Sequence, residues 1–137
     1  MSGERGSVTL WMVGMVAVVM AVGGIAVDLW RGLSAHRELA SLVDAAAVAA
    51  GSGIDEGSWR LEGKLALDPV AVSDRVSAAV AAQSPAAGVT VSVETSPDGS
   101  EATVAGASSV ELTLLGLLVD GDLDLSARAT VSPTLSP

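Results

Sequence analysis

From Ser7 to Val27 the chain reads SVTLWMVGMVAVVMAVGGIAV, without a charge. About 20 apolar residues let a helix cross the ~30 Å hydrocarbon layer of a bilayer at ~1.5 Å per residue. The competing use of such a run is a buried core helix, but a chain of 137 residues leaves little with which to surround one. The run therefore predicts a transmembrane helix over 7–27. Trp11 and Trp30 are separated by roughly 28 Å of helix, which suits interfacial anchors at the two faces of a bilayer. Glu4 and Arg5 precede the run, and Asp28 and Arg31 follow it.

A cleaved signal peptide is the other reading of an N-terminal apolar stretch. Its apolar region is normally ~7–15 residues, shorter than this one. Ala21-Val22-Gly23 has the small-x-small form of a cleavage site, yet the helical pattern runs on into LWRGLSAHRELASLVDAAAVAA. Charge does not set the orientation. Arg5 and the terminal amine on one side nearly balance Arg31 and Arg37 on the other, and the positive-inside rule needs an imbalance.

One face of the helix is small. Gly14, Ala17, Ala21, Gly24 and Asp28 follow alternating spacings of three and four, which place them on one stripe. Small residues so arranged let a second helix approach closely in lipid, so this stripe is the candidate helix–helix assembly face. Asp28 reaches the interface, where Arg31 at i+3 is placed to pair with it.

Residues 28–50 continue as helix outside the membrane, rich in Leu, Ala, Arg and Glu and free of Pro. Leu29, Leu33, Ala40, Val43, Ala47 and Ala50 form the expected apolar face, with Arg37, Ser41 and Asp44 beside it. Gly51-Ser52-Gly53 ends the helix. Asp68-Pro69 combines an N-cap with Pro at N1 and predicts a second helix over about 69–83, closed by Ser84-Pro85. Val89, Val91 and Val93 alternate with polar residues as in a half-buried strand. Pro97-Asp98-Gly99 is a turn, and a second strand follows through Ala102, Val104 and Gly106. A third carries Leu123, Leu125, Ala127, Ala129 and Val131. Val110–Leu118 is apolar and reads equally as strand or short helix.

The fold class is α+β: a long N-terminal transmembrane helix continuing into a small domain with a second helix and a three- to four-stranded antiparallel sheet. The divisions are a cytoplasmic tail (1–6), the transmembrane helix (7–27), its extension outside the membrane (28–50), a small extracytoplasmic domain (51–132) and a frayed tail (133–137).

Composition removes several functions. Seven Lys and Arg stand against 16 Asp and Glu, whereas nucleic acid requires a basic face. With no Cys, disulfides, thiolate metal sites and Cys nucleophiles are excluded. Three Trp and no Phe or Tyr leave a thin core of aliphatic side chains, with Trp59 expected to pack in it. His36 is alone and reads as a surface residue. Asp120, Asp122 and Asp124 mimic the start of a calcium loop, but Leu125 and Val131 stand where Gly and Glu are needed. No catalytic motif, cofactor, metal or small-molecule substrate is predicted.

The segment ERGSVTLWMVGMVAVVMAVGGIAVDLWRGLSAHRELASLVDAAAVAAG resembles the N-terminal part of TadE/TadG-like proteins, pilin-like components of Flp (tight-adherence) pilus assembly. The resemblance is carried by Arg5-Gly6-Ser7, by Gly24 to Asp28, and by Arg37 to Gly51 with Asp44-Ala45-Ala46-Ala47. It implies a pilin-like layout in a bacterial plasma membrane, single-pass, with a cytoplasmic N-terminus and an extracytoplasmic C-terminal domain. It implies other pilus-assembly or pilin-like membrane proteins as partners through the N-terminal helix, and a candidate processing site between Gly6 and Ser7. A cut there would put Trp11 at the fifth mature position, where pilins usually carry Glu, so a TadG-like part that stays in the membrane fits better than a processed filament subunit. The expected function is thus a non-enzymatic, membrane-anchored minor pilin-like subunit or assembly factor. The alternatives are an anchored extracytoplasmic binding module unconnected with a pilus and a secreted domain released from a signal peptide.

Overall fold

A computed structural model of the chain describes residues 4–117 and 121–133. Residues 1–3 of the expected tail, Leu118 at the end of the ambiguous apolar stretch, Val119, Asp120, and residues 134–137 lie outside the described residues. The elements are α1 (Glu4–Gly51), α2 (Glu56–Glu62), α3 (Pro69–Gln83), β1 (Thr90–Thr95), β2 (Ala102–Val110), one 3-10 turn (Leu115–Leu117) and β3 (Leu123–Val131). This is the expected α+β layout, with a long apolar N-terminal helix and a three-stranded antiparallel sheet. The described residues form two compact units. One joins those up to Ser34 to those within Val110–Leu123, and the other joins Ala35–Ser109 to those from Asp124 onward.

In the first unit, every residue from Ser7 to Gly23 is exposed. That part of α1 therefore takes nothing from the protein's own packing, and its helicity rests on local bonding and an apolar surrounding. The helix is long and apolar enough to cross a membrane.

In the second unit, α1 contributes Leu39, Val43, Ala46, Ala47 and Ala50 to the core. They meet Leu67 before α3, Val72 and Val76 of α3, and Ala102 and Val104 of β2. The spacing 39, 43, 46, 47, 50 is one helical face. It begins later than the sequence pattern suggests, because Leu29 and Leu33 are exposed. Arg37, Ser41 and Asp44 are exposed as expected.

The sheet order is β1-β2-β3. Strands β1 and β2 pair antiparallel from Thr90 opposite Ala107 to Thr95 opposite Ala102. Ala102, Val104 and Gly106 are the buried positions of β2, alternating with half-buried ones as period two requires. Gly106 lets the helix lie close: a Cβ there would stand 2.6 Å from Val43 Cγ2 and 3.0 Å from Leu39 Cδ1.

Local signals explain the shorter helices. Asp68 accepts the Val70 N–H at 3.1 Å with Pro69 at N1, and Ser84 ends α3 in the left-handed region at φ 46°. The sequence pattern misses α2, which is only one and a half to two turns long. Its caps are nonetheless present: Asp55 Oδ1 accepts the Gly57 and Ser58 N–H groups at 2.9 and 3.2 Å, and Gly63 closes it at φ 64°. Trp59 lies on this helix 41 % exposed, beside Ile54 and Arg75, rather than in the core. No residue of α2 is buried, so an element with no inward face carries its aromatic outward.

Candidate functional site: the small face of the long helix

Gly14, Ala17 and Ala21 lie in the exposed part of α1. Nothing lies within 4 Å of where a Cβ on Gly14 would be. The missing side chain opens a hollow bordered by Leu10, Trp11, Met15 and Val18. Trp11 and Trp30 are both exposed, the disposition an interfacial anchor needs.

The upper end of the stripe is different. Asp28 is 2 % exposed although it is ionisable. Its Oδ1 accepts the Thr113 N–H at 3.2 Å, and its Oδ2 accepts those of Leu114 at 2.7 Å and Leu115 at 3.0 Å. These donors belong to the segment joining β2 to β3, and the Leu115 N–H opens the 3-10 turn. A first-turn N–H has no partner within its own helix, and a carboxylate is the acceptor best suited to several of them. Arg31 does not pair with Asp28 as the i+3 spacing suggests; its Nη1 donates to Thr113 Oγ1 at 2.8 Å. The carboxylate is filled by backbone donors, and the guanidinium fastens the same loop from its rim.

Gly24 completes this contact. A Cβ on Gly24 would overlap Leu114 Cδ1 outright and stand 2.9 Å from Leu114 Cγ. Gly32, one turn beyond Asp28, holds Leu123 in the same way, with Cδ2 at 2.9 Å from a notional Cβ. Gly24, Asp28 and Gly32 thus form a seat for the chain's own loop and for Leu123, the first residue of β3. Sequence reasoning did not find Gly32, Thr113 or Leu114. The available signal was Gly-x3-Asp-x3-Gly on one helix face, a carboxylate between two gaps.

Residues 6–53 match a family model. Its description is "Tad: Putative Flp pilus-assembly TadE/G-like". No curated protein and no solved structure matches the chain. The match bears out the resemblance read from Arg5 to Gly51 and points to involvement in Flp pilus assembly. It covers α1 and the turn after it, about a third of the chain, and so includes both the exposed small face and the Asp28 seat. The loop that fills the seat lies beyond it.

Chemistry elsewhere is sparse. Among the described residues no three His, Asp or Glu groups are placed to share a metal ion. Asp122 and Asp124 are exposed at the start of β3. Asp55 is held below the usual carboxylate range by the Ser58 hydroxyl and the Ser58 and Gly57 N–H groups, which is capping rather than catalysis. Gly6 and Ser7, the candidate processing site, fall in the first turn of α1.

Proposed function

We propose that this chain is a non-enzymatic, single-pass component of a Flp/Tad-type pilus or related secretion system, a minor pilin-like subunit or assembly factor. Residues 7–27 span the bacterial plasma membrane, with the N-terminus in the cytoplasm and the domain beyond residue 28 outside. The observation that carries this reading is the coincidence of the family match with a helix whose apolar run is exposed from Ser7 to Gly23. A side chain left bare over 17 consecutive positions requires lipid or another helix as its surroundings.

The partner in this reading is another pilus-assembly or pilin-like membrane helix. Of the five stripe residues, Gly14, Ala17 and Ala21 are free to receive it, whereas Gly24 and Asp28 hold the chain's own loop. Close approach at Gly and Ala replaces lipid contacts with helix–helix dispersion and weak backbone contacts, the main source of association where no hydrophobic gain is available. Trp11 stands at the place of the pilin Glu, which favours a subunit that remains in the membrane.

The test is replacement of Gly14 by Leu in the native host, with piliation and co-purification of the other pilus proteins as readouts. Loss of both at normal protein level is expected. Unchanged assembly would remove this face from the proposal. Mass spectrometry of the mature N-terminus tests the processing route: a start at Met1 or Ser2 supports the anchor, and a start at Ser7 a processed pilin. A start beyond about Gly23 supports secretion.

A further inference from the structure

We propose that the loop between β2 and β3 is a second membrane-contacting element, seated in the lipid leaflet from which α1 emerges. The inference rests on the reading of 7–27 as a membrane span and adds to it a site that the span does not require.

Depth is the first argument. Leu114 packs on Gly24, which lies three residues before Val27, about 4.5 Å inside the end of the apolar run at ~1.5 Å per residue. A side chain in contact with Gly24 therefore lies at the level of hydrocarbon. The sequence of the loop agrees: LTLLGLLV, residues 112–119, carries no charge, and Glu111 and Asp120 bracket it. It is far too short to cross a bilayer, which takes about 20 helical residues, so it can only dip. Leu29, Trp30 and Leu33 of α1 are exposed, and they provide apolar surface at the rim of the same leaflet.

Backbone chemistry is the second argument. Irregular chain at membrane depth must have its N–H groups satisfied within the protein, because lipid offers no acceptor. Asp28 accepts from three consecutive N–H groups at the turn of this loop. The same bonds leave these three donors satisfied without water, which is what a loop resting against lipid requires. Arg31, bonded to Thr113 and exposed, sits about two turns beyond Gly24, where a guanidinium reaches the headgroups. The occupant we assign to the loop's outer surface is lipid, met by the part of the half-buried Leu112 and Leu115 side chains that the protein leaves uncovered.

The chain has no Cys, so single cysteines can be labelled cleanly in the full-length protein in phospholipid nanodiscs. An environment-sensitive fluorophore is placed on Leu112→Cys and, separately, Leu115→Cys. Val18→Cys reports the span and Ser100→Cys an exposed turn. Quenching by nitroxide-bearing lipids is compared with reduction by aqueous dithionite. The expected result is lipid quenching at a loop position several-fold above Ser100, with dithionite reduction correspondingly slower. Two loop positions guard against one label disturbing the packing. If Val18 is protected and both loop labels behave like Ser100, the loop inference is overturned while the anchor stands. If Val18 is also open to dithionite, the membrane reading falls and the loop inference falls with it.

Discussion

Asp28 Oδ2 accepts the Leu114 backbone N–H at 2.7 Å, across 86 positions of sequence. With the Thr113 and Leu115 bonds, this contact places three donors of one loop on one carboxylate. Removing the acceptor leaves all three without a partner, and an unsatisfied buried donor is far costlier than an unmade bond in water. Asp28→Ala is expected to speed amide exchange at residues 113–115 by at least about tenfold, the scale of one charged hydrogen bond. Amides of the β1–β2 ladder should not change. Asp28→Asn keeps one carbonyl acceptor and turns an NH2 toward the remaining donors, so its effect should be smaller. Hydrogen exchange read by mass spectrometry on the full chain in a membrane mimetic checks both.

The two ends of the small stripe should respond differently to the same substitution. Gly14 faces open space, and Gly24 faces Leu114. Gly24→Leu is expected to displace the loop, raising exchange at 113–115 as Asp28→Ala does, while co-purification with pilus proteins persists. Gly14→Leu is expected to do the reverse. Loss of co-purification in Gly24→Leu with the loop unmoved would show that the partner occupies the upper stripe instead.

In the domain, the core depends on the face of α1 that begins at Leu39. Leu39 is 2 % exposed and close to Gly106, whereas Leu61 on α2 is 88 % exposed. Leu39→Ala should cost about 2–5 kcal/mol, the range for deleting a buried leucine side chain. Leu61→Ala should stay within about 0.5 kcal/mol. Gly106→Val, which drives new atoms against Val43 Cγ2, should cost about 1–3 kcal/mol by overpacking. Thermal unfolding monitored by circular dichroism gives the ordering.

These residues show what was legible in the sequence. The helix of 69–83 and the strand alternation through Val91, Val93, Ala102 and Val104 were readable because each carries a local signal: a cap, a Pro at N1, or period two. The apolar face of α1 was misplaced toward Leu29 and Leu33 because a periodic pattern does not say which residues meet protein and which meet lipid or solvent. Trp59 departs from its expected burial for a similar reason. Size favours burial on average, but α2 has no buried face to offer. The Asp28 seat was half readable. Gly24 and Asp28 lie on the small-residue stripe, yet their occupant comes from a loop more than 80 positions away, and no local rule connects them. The i+3 neighbour Arg31 was the obvious partner, and three backbone donors displaced it.

The turn between β1 and β2 carries a pH dependence whose sign is fixed. Asp98 is lowered from the usual 3.8 to about 2 by the hydroxyls of Ser96 and Ser100, followed by the Ser100 N–H. The Ser100 hydroxyl and N–H reach Asp98 Oδ1 at 2.8 and 3.2 Å. Gly99, at φ 67°, closes the turn with its carbonyl accepting the Leu67 N–H at 2.8 Å. Because the folded state binds the proton less readily than the unfolded chain, Asp98 contributes stability that is fully present above pH 3.8. That contribution is lost as pH falls from 3.8 through about 2. Asp98→Asn removes the titrating group. The stability difference between the parent and Asp98→Asn should therefore be constant from pH 7 down to about pH 5, then shrink steadily toward pH 2. Paired denaturant titrations across that range measure it. A difference that grows on acidification would mean that the protonated form, not the carboxylate, is the one the turn prefers.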